Sequence, residues 1–255
     1  MGQIDEGFPL TTSLSKGLTI LAVLADASEP VSLSFVARCT GLPKSTIHRI
    51  VTELRDAGFV ESSADGHSLG LRLFELGGIA LRQNQIVSTA RPHMEELFER
   101  TRHVIQLGIL QGTDAMYLVR VGRQGHQLVA SHIGGRIPAT CTAVGKAILA
   151  HDDALLETVI DAGLIRRTRY SMTDAILLRA SLAETRRSGI AVELEEARVG
   201  LACVASPIII DGTVRAALSL TAPVHSFEPR AFGPAVRMTA ARLSRVLSMH
   251  RSASL

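Results

Sequence analysis

The amino-acid sequence predicts an α+β protein of two domains, in which short helices and a hairpin precede a sheet flanked by helices. Apolar residues recur every three or four positions through much of the first 100 residues, and this spacing is typical of amphipathic helices. Later in the chain, apolar runs interrupted by glycine alternate with helical segments, as expected for a mixed fold. The 255 residues, 46% of them apolar, suffice for two packed cores.

Composition excludes several classes of protein. The sequence has no apolar run long enough to span a membrane, and its start, MGQIDEGFPL, lacks the basic region and apolar core of a secretory signal. We therefore expect a cytoplasmic protein with no membrane partner. Cys39, Cys141 and Cys203 lie far apart without a CxxC pair, which argues against a disulfide framework or a structural zinc site. No metal and no cofactor are expected.

Charge is informative locally rather than overall. The net charge of +3 is a weak indication of a polyanionic partner, because residues 1–82 hold seven Lys and Arg against nine Asp and Glu, a net of −2. From residue 36 to 52, however, Arg38, Lys44 and Arg49 occur with no acidic residue. A positive patch can therefore form within an acidic domain.

The first helix is predicted in SLSKGLTILAVLADA, where Leu14, Leu18, Leu21 and Ala25 share one helical face. Ser13 or Ser15 can cap its start.

Two further helices follow, separated by a glycine turn. Ser34 can cap the second helix, which is expected to run through Cys39. Gly41 tolerates the positive φ of a tight turn, and Pro43 suits the first turn of the third helix. Two short helices joined by such a turn form a helix-turn-helix pattern.

The third helix buries Ile47, Ile50, Val51 and Leu54 on one stripe, which leaves the rest of its surface free. Together with Arg38, that surface carries side chains able to reach phosphates and base edges of double-stranded DNA. They are Lys44, Ser45, Thr46, His48, Arg49 and Thr52. On an isolated helix the same residues would be read as a solvated face.

A hairpin after the third helix supports the DNA-binding interpretation. Asp65-Gly66 lies between two short extended runs, and this dipeptide is a strong hairpin signal. The hairpin would act as a wing beside the recognition helix, with His67 near a DNA phosphate. The alternative for His67 is a solvated loop residue without a role.

The predicted organisation is a winged helix-turn-helix domain at 1–70, a linker helix at 71–86 and a second domain at 87–255. The second domain should begin with a helix near Val87 to Arg102. Its strands are predicted in VIQLGIL, AMYLVRV, QLVASHI, LACVASPIII and TVRAALSLTA, the last two joined by Asp211-Gly212. Helices are predicted within CTAVGKAILAHDD, from Asp174 to Ser188, and from Glu228 to His250.

Several of these segments together resemble the IclR-type family of bacterial transcriptional regulators. They are LSKGLTILAVLA, GLPKSTIHRIVTELRDAGFV, LRLFELG, PATCTAVGKAILA, and EEARVGLACVASPI followed by GTVRAALSLTAP. The resemblance implies a DNA-binding regulator with a GAF-like effector domain that binds a small organic acid. It implies a homodimer or homotetramer on operator DNA, often beside a catabolic operon. It favours a repressor, although no residue separates repressor from activator.

The resemblance also implies an effector pocket. The positions that match the family's pocket are Cys141, Thr142, Ala143 and Val144, which would form one wall, and Glu193, Cys203, Ser219 and Thr221, which would lie on strands. Helix-terminal N–H groups near Ala143 would favour a carboxylate, and Ser219 and Thr221 should share one strand face. Val144 is bulkier and Glu193 longer than the family's usual residues there, so the ligand is expected to differ from short keto acids.

Two other classes remain as alternatives. Cys203 and Glu193 with a histidine could serve a cysteine hydrolase, but no histidine has the required spacing from Cys203, so no catalytic residue is assigned. A pure interaction module would not need a polar helix front followed by a hairpin. The run around VGKA is not a phosphate loop, since Thr140 and Ala147 replace its glycine and hydroxyl residue.

Overall fold

The computed structural model describes residues 11–122 and 130–252, which form two compact units divided between Arg82 and Gln83. The N-terminal unit contains four helices and one hairpin among its described residues. They are α1 (Ser13–Asp26), α2 (Leu33–Thr40), α3 (Lys44–Asp56), β1 (Val60–Ser63), β2 (Gly66–Leu69) and α4 (Leu71–Gln83).

The helix-turn-helix is built on local capping. The α1 cap is Thr12, whose side chain exchanges hydrogen bonds with Ser15, so the expectation of Ser13 or Ser15 as the cap is wrong. The α2 cap is Ser32 rather than Ser34, because the Ser32 hydroxyl accepts the N–H of Phe35. Gly41 ends α2 at φ 69°, as predicted for the turn.

A small apolar core holds this unit together. Ile20 of α1, Val36 of α2 and Ile47 of α3 are fully buried against one another. The predicted stripe of α3 is therefore the face that packs inward, and the remaining face is exposed. Val60 at the start of β1 joins the same core and fixes the hairpin beside α3.

The C-terminal unit is a six-stranded antiparallel sheet with helices on both faces. Its helices are α5 (Gln85–Thr101), α6 (Ala143–Leu149), α7 (Asp153–Asp161), α8 (Ala175–Ser188) and α9 (Pro229–Ser252). Its strands are β3 (Val104–Gln111), β4 (Asp114–Val121), β5 (Arg136–Pro138), β6 (Ala191–Leu194), β7 (Leu201–Ile210) and β8 (Thr213–Pro223), in the order β5-β4-β3-β8-β7-β6.

Helix α6 covers one face of this sheet, while α5 and α9 pack together on the other. Most residues of β7 and β8 are buried, which requires cover on both sides because successive side chains point to opposite faces. The α6 face carries small residues such as Ala205 and Ala217 under Val144. The α6 helix therefore lies close to the strands.

The predicted α8 is confirmed at both ends, by the Asp174 cap and by Gly189 at φ 72°. The strand predicted in QLVASHI lies in part outside the described residues, at 127–129, and its remaining residues, 130–133, belong to no strand. Two short strands, β5 and β6, and helix α7 were missed. No helix among the described residues is long and apolar enough to cross a bilayer.

Candidate functional site

The exposed face of α3 carries the side chains that the sequence assigns to DNA. Lys44, Ser45, His48 and Arg49 are exposed, while Thr46 and Thr52 are half-buried. The Thr52 hydroxyl donates to the carbonyl of His48, one turn earlier, at 2.9 Å. The front of the helix therefore presents mainly its first two turns to solvent.

Arg49 lies at the centre of this face and has partners within the unit. Its guanidinium donates to Glu53 at 2.6 Å and to the hydroxyl of Ser13 at 3.4 Å. Both members of the Arg49–Glu53 pair are more than half exposed, so the pair is weak and exchangeable. Arg38 is exposed on α2, where its guanidinium lies 5.6 Å from the ring centroid of Phe35.

His67 lies on the hairpin at a structured position. Its backbone pairs with Val31, before α2, and its ring Nδ1 lies 2.8 Å from the hydroxyl of Ser62 across the hairpin. Burial lowers the pKa of His67, and the charges of Arg55 and His48 lower it further. The imidazole is thus neutral at pH 7, and it can offer a phosphate only a neutral N–H donor.

The C-terminal unit contains an enclosed cavity of about 20 Å³ beside the α6 face of the sheet, which is room for one water molecule. Four of the eight residues assigned to the effector line it: Thr142, Glu193, Cys203 and Thr221. The cavity is also lined by Gln106, Tyr117, Ala130, Ser131, Ile137, Ala197, Arg198 and Leu201. An organic acid can enter only if side chains at the wall move outward.

A chain of polar side chains crosses the floor of this cavity. The Thr221 hydroxyl donates to the side-chain oxygen (Oε1) of Gln106 at 3.2 Å, and the side-chain NH2 group of Gln106 donates to the Ser131 hydroxyl at 2.8 Å. At the other end, the Cys203 sulfur lies 3.0 Å from the Thr221 oxygen. These groups are satisfied by one another, as buried polar groups must be.

Glu193 ends this polar chain. Its carboxylate is 2% exposed and accepts the backbone N–H groups of Glu196 and Ala197 at 2.5 and 3.1 Å. Burial raises the pKa of Glu193 to about 7; the charge of Glu196 raises it as well, while the two N–H groups and Cys203 oppose the rise. The side chain therefore exchanges its proton near neutral pH.

Four assigned residues lie outside the cavity wall. Cys141 points to the carbonyl of Ile165 at 3.3 Å, and burial raises its pKa. Ala143 and Val144, at the start of α6, are buried in the apolar cluster between α6 and the sheet. Ser219 is buried on the same face as Thr221, as the period-2 rule predicts, with its hydroxyl 3.5 Å from the carbonyl of Gln106.

The start of α6 is a poor anion site. The Thr142 hydroxyl already accepts the N–H of Gly145, and α6 contains only seven residues. One of the N–H groups at the start of α6 is therefore already bonded within the helix cap. Gln106 and Arg198, which line the cavity, were missed; the one signal for Gln106 was a polar residue inside the apolar run VIQLGIL.

A buried ion pair lies beside the cavity. The ammonium group of Lys146, on α6, pairs with the carboxylate of Glu196, and both are almost completely buried. Glu196 follows β6, and its backbone also accepts the hydroxyls of Thr168 and Ser171. Lys146 thus holds the segment 193–198 against α6. No group of three His, Cys, Asp or Glu within the described residues can hold a metal.

Comparison with known proteins identifies the two units. Residues 13–64 match the IclR helix-turn-helix domain, and residues 79–245 match the C-terminal domain of bacterial transcriptional regulators of the IclR type. The chain belongs to the IclR family. It is 30% identical over 250 residues to the regulator XynR of Escherichia coli (strain K12), covering 94% of this chain and 98% of XynR.

Solved structures agree with this IclR assignment. The IclR protein of Thermotoga maritima superposes with a TM-score of 0.75 at 26% identity, covering 92% of this chain and 98% of that one. An IclR homolog of Microbacterium hydrocarbonoxydans, in complex with 4-hydroxybenzoate, gives 0.82 at 29% identity, covering 92% and 99%. The protein is a DNA-binding transcriptional regulator of the IclR family and, as predicted, not an enzyme.

Proposed function

We propose that this IclR-family protein is a cytoplasmic homo-oligomer that represses a catabolic operon and responds to a small organic acid. In this proposal α3 enters the major groove of a pseudo-palindromic operator, and the hairpin contacts the adjacent backbone. The acid binds in the cavity that Glu193 closes and changes the affinity for DNA. The observation that carries the proposal is the exposed polar front of α3 on a unit whose apolar residues are packed away from it.

A related protein that is a repressor supports the proposed repression. The Transcriptional repressor IclR of Escherichia coli (strain K12) is 28% identical over 219 residues, covering 83% of this chain and 80% of that protein. A gel shift with upstream intergenic DNA, with and without candidate acids, tests the proposal. A sequence-specific shift that no acid alters would leave a DNA-binding protein without the proposed response.

Hydroxy and phenolic acids are the effectors that the cavity favours. A carboxylate next to an ionised Glu193 would be repelled, whereas a hydroxyl there can donate to it. The M. hydrocarbonoxydans homolog was crystallised with such a compound, 4-hydroxybenzoate. A thermal-shift screen of small carboxylates tests this preference, because a ligand of the native state raises its stability.

Arg49→Ala is expected to weaken operator binding by about 1 to 3 kcal/mol, because Arg49 lies at the centre of the exposed α3 face. Fluorescence anisotropy with operator and random DNA measures the loss. The control is Arg100→Ala, which removes the same charge from an exposed position on α5 of the other unit. Equal affinities of Arg49→Ala and wild type would rule out this orientation of α3.

Lys44→Ala is expected to weaken binding to operator and random DNA alike, since the first residue of α3 is placed for a phosphate contact. The slope of log K against log salt should fall by about 0.9. Salt titrations of wild type and Lys44→Ala on both DNAs provide the measurement. A loss confined to the operator would instead assign Lys44 to a base.

The proposed oligomer rests on apolar surface in the N-terminal unit. Every residue of α4 is at least partly exposed, including Phe74 at 78% and Leu71 at 64%, and Leu14 of α1 is 73% exposed. Large apolar side chains exposed to this extent are typical of an association surface. We therefore assign α1 and α4 to the contact between two copies.

Phe74→Glu is expected to dissociate the oligomer at micromolar concentration, because it places a charge in the proposed apolar contact. Light scattering coupled to gel filtration measures the mass. Met238→Glu, on an exposed apolar residue of α9, is the matched control. If the wild-type protein is a monomer, the proposal that two copies bind one pseudo-palindromic operator loses its basis.

A further inference from the structure

Gln106 is a polar side chain at a position where the sequence is otherwise apolar. It lies on β3, within the run VIQLGIL, and is only 3% exposed. Burial of an amide costs free energy unless its N–H and C=O groups are hydrogen-bonded. Gln106 lines the cavity together with Ser131 and Thr221, which are its side-chain partners. The amide is therefore held at the cavity wall by residues that belong to the same wall.

The direction of the hydrogen bonds fixes how this amide is turned. The hydroxyl hydrogen of Thr221 goes to Oε1 of Gln106, so the NH2 group faces the other way and donates to the Ser131 oxygen at 2.8 Å. An NH2 group has two hydrogens to donate and a hydroxyl has one. Among the described residues, neither the second NH2 hydrogen nor the Ser131 hydroxyl hydrogen has an acceptor. Two adjacent buried groups can thus each donate one more hydrogen bond.

This pair of donors is suited to a carboxylate. Each of the two carboxylate oxygens can accept one of the hydrogens, and such bonds are stronger than those between neutral groups. Neutral donors suffice for this purpose, because hydrogen bonds to the charged form of a carboxyl group stabilise that form. The polar chain on the cavity floor ends at Glu193 on the opposite side, where a second carboxylate would be repelled. The end at Gln106 and Ser131 is therefore the one that an anion can occupy.

We propose, resting on the proposed effector function, that Gln106 and Ser131 bind the effector's carboxylate and make the cavity selective for acids over their neutral amides. The Gln106 NH2 group donates to one carboxylate oxygen and the Ser131 hydroxyl donates to the other. An effector amide would instead place its own NH2 group against one of these donors. Because β3 lies between β4 and β8 in the sheet, Gln106 keeps its place when other side chains of the wall move outward.

Isothermal titration calorimetry with the full-length protein tests this assignment. The probes are lactate and 4-hydroxybenzoate, and each is compared with its amide, which has nearly the same shape but no charge. Wild type should bind each acid more tightly than its amide. Gln106→Met removes the NH2 group and should reduce this preference about 10- to 100-fold, which corresponds to the loss of a hydrogen bond to a charged group.

Two further variants and a control make the test specific. Ser131→Ala should reduce the preference for acids in the same direction, and it changes a residue outside the helices and strands, so it serves even if Gln106→Met does not fold. Gln106→Glu replaces the donor by an acceptor and should shift the preference towards the amides. The control is Ser206→Ala, which removes a buried hydroxyl that donates to the Gly189 carbonyl at 2.8 Å and is not among the described residues that line the cavity.

Ionic strength separates neutral donors from a cation. A carboxylate held by an exposed guanidinium or ammonium group loses affinity when salt screens the pair, whereas buried neutral donors are screened much less. Repeating the titrations of wild type at about 0.05 and 0.5 M salt should therefore leave the affinity for each acid nearly unchanged.

The outcomes separate the inference from the function on which it rests. A preference for acids that falls in Gln106→Met and Ser131→Ala, but not in Ser206→Ala, and that is insensitive to salt supports the inference. An unchanged preference in the folded variants would assign the two hydrogens to a buried water molecule, and a steep loss of affinity with salt would assign the carboxylate to a cation. Either result overturns the inference while the effector function stands. Failure of every probe to bind wild type overturns both the inference and the proposed effector class.

Discussion

Lys146→Met destabilises the C-terminal unit by about 3 to 5 kcal/mol, which is the usual cost of leaving one charge of a buried ion pair without its partner. Lys146 is 1% exposed, and one oxygen of Glu196 has no hydrogen-bond partner among the described residues even in the intact protein. Removal of the ammonium group leaves this buried carboxylate without its partner. The segment that positions Glu193 then loses its attachment to α6.

Urea denaturation followed by tyrosine fluorescence measures this loss in the full chain. The protein has no tryptophan, and its two tyrosines, Tyr117 and Tyr170, both lie in the C-terminal unit, so the signal reports that unit alone. Arg187→Met breaks an exposed ion pair on α8 and should cost less than about 1 kcal/mol. A loss for Lys146→Met as small as that of Arg187→Met would mean that the pair adds nothing to stability.

A double variant separates the two sources of the cost. Lys146→Met with Glu196→Gln removes both charges and should recover part of the loss, since no uncompensated charge remains. If the double variant is no more stable than Lys146→Met alone, the damage comes from packing of the long lysine side chain rather than from the carboxylate.

The sequence was sufficient where structure depends on local periodicity and, for α8, on the cap residues. The apolar stripe of α3 predicted which face is buried, and Asp174 with Gly189 predicted both ends of α8. The caps of α1 and α2 were misplaced by one to three residues, because several neighbouring Ser and Thr can serve and only the backbone angles decide.

The cavity could not be predicted in full because its wall comes from distant segments. Gln106 and Ser131 meet across 25 residues, and their contact depends on how the chain returns after β4. Val144 appeared to reach the pocket, yet it packs over Gly108, where an added Cβ would lie 2.9 Å from its side chain. The spacing of residues in the sequence shows which side chains share one face of a helix or strand. Which other elements cover that face depends on tertiary packing.

Glu193 makes the stability of the C-terminal unit fall as the pH rises. The folded-state pKa, about 7, lies above the ordinary value of 4.5, so the folded protein binds more protons than the unfolded chain between these values. The contribution of the protonated side chain is fully present below about pH 4.5 and is lost as the pH rises through 7. Between pH 5 and 8 the loss should reach about 2 to 3 kcal/mol.

Glu193→Gln isolates this effect, because the amide keeps an oxygen to accept the N–H groups of Glu196 and Ala197 but does not titrate. Urea denaturation by tyrosine fluorescence at pH 5, 6, 7 and 8 should show the variant gaining on wild type as the pH increases. Parallel curves for the two proteins would show that Glu193 is ionised in both states and that the cavity is more polar than its burial implies. A difference that grows from pH 5 to about 7 and levels off above it would instead show a carboxyl group that exchanges its proton near pH 7, where a hydroxyl donor can shift its pKa. Stability and effector binding would then depend on the same proton.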